Sequence, residues 1–209
     1  MAGRPIGYER GGVVQGAMAH FWARGFGASD VDTLTRVTGL NRHSLYKAFG
    51  GKRGLFLDAL RHYVEDVSAA YAEVLETGDG LAAIVAYFER ITRGEGAPRG
   101  AQGFDQRGCL LVNTAIELGR SDPQVAELLD TYYARIESAF AGLIRRGQET
   151  GTIRRDLDPL VMARWLRVTG QGLSVSSRIG LVPGDLADVV RMALSPPNDQ
   201  ANNQEGERG

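Results

Sequence analysis

Residues 38–56 read TGLNRHSLYKAFGGKRGLF, and no other stretch restricts the fold as tightly. Gly39 follows a short helical run, and its lack of a Cβ suits the left-handed conformation that closes a helix. Asn41 can then accept a backbone N–H and start the next helix. Leu40 just before that cap and Leu45 one turn into the helix have the spacing of a hydrophobic staple. Helix, three-residue turn and helix are therefore specified locally, with Leu34, Val37, Leu40, Leu45 and Phe49 expected on the inner face. This is the helix-turn-helix layout, whose second helix enters the major groove of DNA. Arg42, His43, Ser44, Tyr46 and Lys47 point outward from that helix and can donate to phosphates or base edges. Lys52 and Arg53 then fall in the first turn of the following helix, where cations oppose the macrodipole. A phosphate bound at that helix end would reverse the sign. A solvated amphipathic hairpin without a partner is the competing reading of the same pattern.

Helical periodicity continues through the rest of the chain. Val14, Ala17, Met18, Phe21 and Trp22 share one face of a first helix, which Gly25 and Gly27 end. Ser29 is the expected N-cap of a short helix through Thr38. A long helix is expected over 52–75, followed by helices over 81–92, 109–118 and 123–149. The last two are expected over 158–177 and 184–194. Residues 94–108 are a Gly-rich loop, and 196–209 read as a disordered tail. No internal repeat and no convincing strand pattern is present, so the expected fold is all-α with about nine helices.

Charge divides the chain. Residues 1–62 carry nine Lys and Arg against four Asp and Glu, a balance of +5. The remainder carries fifteen against twenty-one, a balance of -6. A basic segment joined to an acidic one suggests a polyanion partner for the first, although chance clustering gives the same numbers. One cysteine, Cys109, excludes a disulfide framework and a cysteine-based zinc cluster. No apolar run approaches the roughly 20 residues of a membrane span, and no signal-peptide pattern opens the chain; the expected location is cytoplasmic. Phosphate-loop, dinucleotide and His-Glu-x-x-His fingerprints are absent, so neither an enzyme nor a cofactor or metal protein is expected.

Residues 9–60 resemble the DNA-binding domain of the TetR family of bacterial transcriptional repressors. The matching pieces are FWARGFGAS (21–29), VDTLTRVTGLNRHSLYKAFGGKRGLF (31–56) and the FLDAL behind it. The resemblance implies a three-helix helix-turn-helix domain at 1–50, linked by the helix over 52–75 to a larger ligand-binding and dimerisation domain at 51–195. It implies a homodimer on a palindromic double-stranded DNA operator, released by a small-molecule inducer. Tyr46 and Lys52 become phosphate contacts, Arg42, His43 and Ser44 base readers, and Ser29 a backbone contact; Asn41 and Lys47 complete the DNA-binding set. Gly3, Arg4 and Pro5, with Arg10, are candidates for the minor groove or backbone. Two departures stand out. Gly50-Gly51 replaces the polar N-cap usual in the family, and Arg42-His43 is an individual choice at the variable reading positions.

For the regulatory half, the resemblance implies dimerisation through the last two helices. Ala163, Leu166, Gly170 and Leu173 mark the expected interface face, the alternative being that they face the protomer's own core. Candidate ligand-binding residues are Phe88, Cys109, Val112, Asn113, Tyr132, Ile136, Phe140, Trp165 and Thr169, against the plain reading of such aromatics as core. Asn113, an amide in the apolar run CLLVNTAIEL, needs a partner if buried. RGCLLVNTAIEL is similar to a segment of one TetR subgroup, some of whose members sense reactive electrophiles through a cysteine. A helix start and Arg107 would lower the Cys109 pKa; a small buried apolar residue is the other reading. A helical adaptor or ligand-binding protein that never touches DNA is the alternative function.

Overall fold

The computed structural model describes residues 9–93 and 107–197. Its elements are α1 (Arg10–Arg24), α2 (Val31–Thr38), α3 (Arg42–Phe49), α4 (Lys52–Ala72), α5 (Gly80–Thr92), α6 (Leu110–Glu117), α7 (Pro123–Thr150), α8 (Pro159–Arg178) and α9 (Leu186–Leu194). The described residues contain no strand, so the fold is all-α as expected. None of their helices is long and apolar enough to cross a membrane. Residues 3–5, most of the 94–108 loop and most of the expected tail lie outside the described residues.

The helix starts follow from chain chemistry. Asp122 and Asp158 each accept two backbone N–H groups at the head of α7 and α8, with Pro123 and Pro159 in the first turn. Between α1 and α2 the expectation needs correcting. Asp30, not Ser29, caps α2, accepting from the Thr33 amide at 2.6 Å. Ser29 turns back, its hydroxyl donating to the Gly25 carbonyl at 2.6 Å. The helix after Gly51 ends as α-helix at Ala72 and continues as a π-helical turn over Glu73–Thr77.

The apolar face of α1 is buried as its spacing requires, Val13 through Trp22 packing against α4 and α2. Phe56 of α4 sits under this group, its ring 4.9 Å from those of Phe21 and Phe26. Tyr87, Phe88 and Phe140 form a second aromatic knot between α5 and α7. Val37 departs from its expected place; it is exposed, and Leu34 alone of α2 is fully buried. Ala163, Leu166 and Leu173 also face inward, against the protomer's own core rather than outward.

An ion pair ties the head of α4 to the head of α7. Arg53 reaches Asp122 with Nε at 2.6 Å and Nη2 at 2.8 Å, while its Nη1 reaches Gln124 at 2.8 Å. The guanidinium holds the Asp122 carboxyl below the usual carboxylate range, and the Val125 and Gln124 amides add to the effect. A carboxyl depressed in the folded state stabilises fully above its unfolded value of about 3.9. That contribution is lost as pH falls through the folded value. Asp122→Asn keeps a cap of equal quality but removes the titration. Its deficit in melting temperature relative to wild type should therefore shrink as pH is lowered from 7 to 3. A deficit constant with pH would place the stabilisation elsewhere.

Candidate nucleic-acid interface and regulatory cleft

Helices α2 and α3 form the helix-turn-helix, and the turn is built as its residues dictate. Gly39 is left-handed at φ 70°, ψ 7°. Asn41 caps α3, its side-chain oxygen accepting from the Ser44 amide at 2.8 Å. Leu40 and Leu45 are buried together with Leu34 and Phe49. At the far end Gly50 is left-handed at φ 71° and Gly51 stands at φ 110°, where a side chain would be strained. The bare Gly51 also makes room for the Tyr46 ring; a Cβ there would lie 3.1 Å from Tyr46 Cε1.

Arg42, His43, Tyr46 and Lys47 are exposed on the outer side of α3, while Ser44 is half-buried. The other expected contacts are committed within the protein. Ser29 is buried and bonded to Gly25, and Asn41 is engaged as the cap. Lys52 stands over the Phe26 ring, its Nζ 4.3 Å from the centroid, so its ammonium is held at the head of α4. Arg10 is a brace. It pairs with Asp58, covers the Phe49 ring at 4.4 Å and donates to the Ala48 carbonyl at 3.3 Å.

Asp32 is the residue the sequence reading missed. Nε and Nη2 of Arg42 both reach its Oδ1, at 3.0 and 2.7 Å. A carboxylate at the head of α2 therefore holds the first cation of α3 in an ion pair, which a phosphate would have to displace. Both partners are largely exposed, so the pair itself is worth about 1 kcal/mol or less. Asp32→Asn should strengthen binding to operator and random DNA alike, by about three- to tenfold, through release of Arg42 and loss of a negative charge. Weaker binding in a filter or mobility-shift titration would mean that Asp32 instead aims Arg42 at a base.

The expected ligand residues scatter. Phe88 and Phe140 are fully buried and stacked, 6.2 Å apart. Val112 is buried, and Ile136 and Thr169 are half-buried. Asn113 finds its partner in the backbone, donating to the Arg107 carbonyl at 2.7 Å. Trp165 lies on the outer face of α8. Cys109 and Tyr132 do come together, with Tyr63 bonded to the thiol. Burial pushes the Cys109 thiol up, and hydrogen bonds from Tyr63 and the Val112 and Leu111 amides offset only part of that rise. The sign is opposite to the one expected from the helix start and Arg107, whose guanidinium covers the Trp22 ring at 4.2 Å.

A cleft of about 420 Å³ opens instead between α6, α7 and α8. Ala115, Gly119, Ala126, Leu129 and Ala134 give it an apolar lining of mostly small side chains. Tyr133, whose hydroxyl is pushed up to about 12 by burial, and two ion pairs complete it. Arg120 meets Asp130 at 2.5 Å, and Arg167 meets Glu137 at 2.6 Å. Small residues signal such a space only through volume that is missing, which sequence spacing does not record. Beyond the cleft, α8 exposes an apolar stripe of Val161, Trp165, Val168 and Val175, which Ile179 continues just past the helix end. Val189 and Met192 of α9 are exposed as well.

Comparison with known proteins supports the same division of labour. Residues 13–59 match the family described as bacterial regulatory proteins, tetR family. Residues 80–192, more than half the chain, match the tetracyclin repressor-like C-terminal domain. The uncharacterized HTH-type transcriptional regulator YezE of Bacillus subtilis is 29% identical over 195 residues, covering 92% of this chain and 98% of YezE. The HTH-type transcriptional repressor ComR of Escherichia coli is 28% identical over 184 residues, 85% of this chain and 83% of ComR. Among solved structures, a cysteine-substituted TetR family regulator, CifR, complexed with 26-base-pair operator DNA superposes with a TM-score of 0.74 at 26% identity. That match covers 93% of this chain and 100% of CifR. The chain belongs to the TetR family of bacterial regulatory proteins.

Proposed function

We propose that this chain is a homodimeric transcriptional repressor that acts in the cytoplasm on a palindromic operator and is released by a small molecule. The observation that carries the reading is the strip of Arg42, His43, Tyr46 and Lys47, exposed on a helix whose two ends and inner face are all locally fixed. Two such helices, related by a two-fold axis, would enter successive major grooves. The reading unit is residues 1–50 with the head of α4; residues 51–195 bind the inducer and the second protomer. The outward stripe of α8, with Val189 and Met192 of α9, is the dimer face, because an isologous contact buries one apolar patch against its own copy. The inducer enters the cleft between α6, α7 and α8. To turn a 99:1 DNA-competent population into 1:99 it must prefer the released state by about 5.5 kcal/mol.

Selection of bound fragments from random DNA, run at two salt concentrations, tests the reading. A palindromic consensus whose enrichment falls steeply with salt is expected. No enrichment at either concentration would favour a ligand-binding protein without DNA binding. Electrophile sensing is a second reading, favoured by the place of Cys109 beside the half-buried start of α6. A thiol pushed up by burial is less ionised, so the yield of electrophile adduct on native protein should be low and should rise with mild denaturant.

A further inference from the structure

Glu117, the last residue of α6, holds the turn between α1 and α2 with both carboxylate oxygens. Oε2 accepts from the Phe26 amide at 2.8 Å and Oε1 from the Gly27 amide at 2.5 Å. The turn is cleared for it. A Cβ on Gly25 would lie 2.8 Å from Oε2, and one on Gly27 3.0 Å from Oε1. Charge-assisted bonds to two neighbouring amides fix direction as well as distance. The start of α6 is tied to α1 too, since Trp22 Nε1 donates to the Gly108 carbonyl at 2.9 Å. Ala115 and Gly119, each two positions from Glu117, line the cleft. One short helix thus borders the cleft and grips the turn from which α2 and α3 depart.

We propose that Glu117 is a positioning residue that sets the separation of the two recognition helices in the dimer. Its carboxylate fork locks the α1–α2 turn to α6, so that α3 is presented in one orientation. The proposal rests on the dimeric operator reading above.

The test compares wild type, Glu117→Ala, Glu117→Gln and Gly27→Ala, all full length, on four DNAs. These are the selected operator, versions with one base pair inserted or removed at its centre, and a single half-site. One base pair moves a half-site by about 3.4 Å and turns it by about 35°. Wild type should discriminate strongly against both altered spacings. In Glu117→Ala, operator affinity should fall about tenfold through lost preorganisation, with half-site affinity unchanged and spacing discrimination reduced by a similar factor. Glu117→Gln keeps one acceptor and should lie between. Gly27→Ala, which crowds Oε1 while leaving Glu117 in place, should shift the same readouts in the same direction by less, and serves if the Glu117→Ala variant folds poorly. Wild-type discrimination in variants with native melting curves would overturn the proposal. So would an equal loss on half-site and operator. A wild type without any spacing preference would overturn the dimeric reading itself.

Discussion

Replacing Gly54 by alanine is expected to lower the melting temperature by about 5–10 °C and to weaken operator binding at least tenfold. Helix propensity alone forecasts the opposite, since Gly54 lies inside α4 and alanine is favoured there by about 1 kcal/mol. The surroundings decide. A Cβ on Gly54 would stand 1.7 Å from the Phe49 carbonyl oxygen and 2.9 Å from its carbon. That carbonyl belongs to the last residue of α3, and backbone has no rotamer with which to step aside. The helix must move by more than an ångström or the head of α4 must deform. Overpacking of this kind costs about 1–3 kcal/mol and occasionally more. The displaced element is the recognition helix, so the loss of affinity should exceed what instability alone predicts. Gly142 is the control. It too lies inside a helix, but its nearest contact would be the Arg146 side chain at 3.6 Å; Gly142→Ala should stabilise by up to about 1 kcal/mol. If both variants melt higher than wild type, the close seat of α3 on α4 is not maintained in solution.

How much of this was legible in the sequence depends on the range of the interaction. Features set within a few residues read directly: the Gly39–Asn41 turn, the Asp122-Pro123 and Asp158-Pro159 helix starts, the outer strip of α3. Where two neighbours can play one part, order alone does not choose. Ser29 and Asp30 are both able caps, and the choice falls to Asp30 because the Ser29 hydroxyl is taken by Gly25. The same ambiguity affected α8. Ala163, Leu166 and Leu173 keep helical spacing, and so do Val161, Trp165, Val168, Val175 and Ile179. A helix apolar on two sides does not announce which one packs at home. Contacts across long separations left no mark: Arg42 with Asp32, Arg53 with Asp122, Glu117 with Phe26 and Gly27. Each is an ordinary charged residue in sequence and acquires meaning only from the partner the fold supplies.

Placing an arginine in the middle of the outward α8 stripe, Val168→Arg, is expected to convert the dimer to monomer and to reduce operator affinity by about 100-fold or more. The stripe positions Val161, Trp165, Val168, Val175 and Ile179 recur at three- and four-residue steps, with Gly172 filling the remaining step. Gly172 would meet nothing within 4 Å if it bore a Cβ, leaving room for a second backbone to approach. Val168 is 54% exposed and Ile179 67%, too much apolar surface in one line for solvent to be its only neighbour. A two-fold contact through this stripe would bring Val168 near its own copy, and the substitution would then set two guanidiniums face to face in a buried patch. Arginine cannot shed its proton to escape, and Arg164, one turn earlier, adds a like charge. Several kcal/mol of desolvation and repulsion should then fall on the interface alone, because Val168 takes no part in the protomer's core. Sedimentation should report a folded monomer with the wild-type helical signal. The monomer should bind a single half-site as wild type does, while losing the effective concentration that the linked second site provides. A variant that remains dimeric would move the interface off this face. The α8 stripe would then need a different partner, and the operator reading a different two-fold axis.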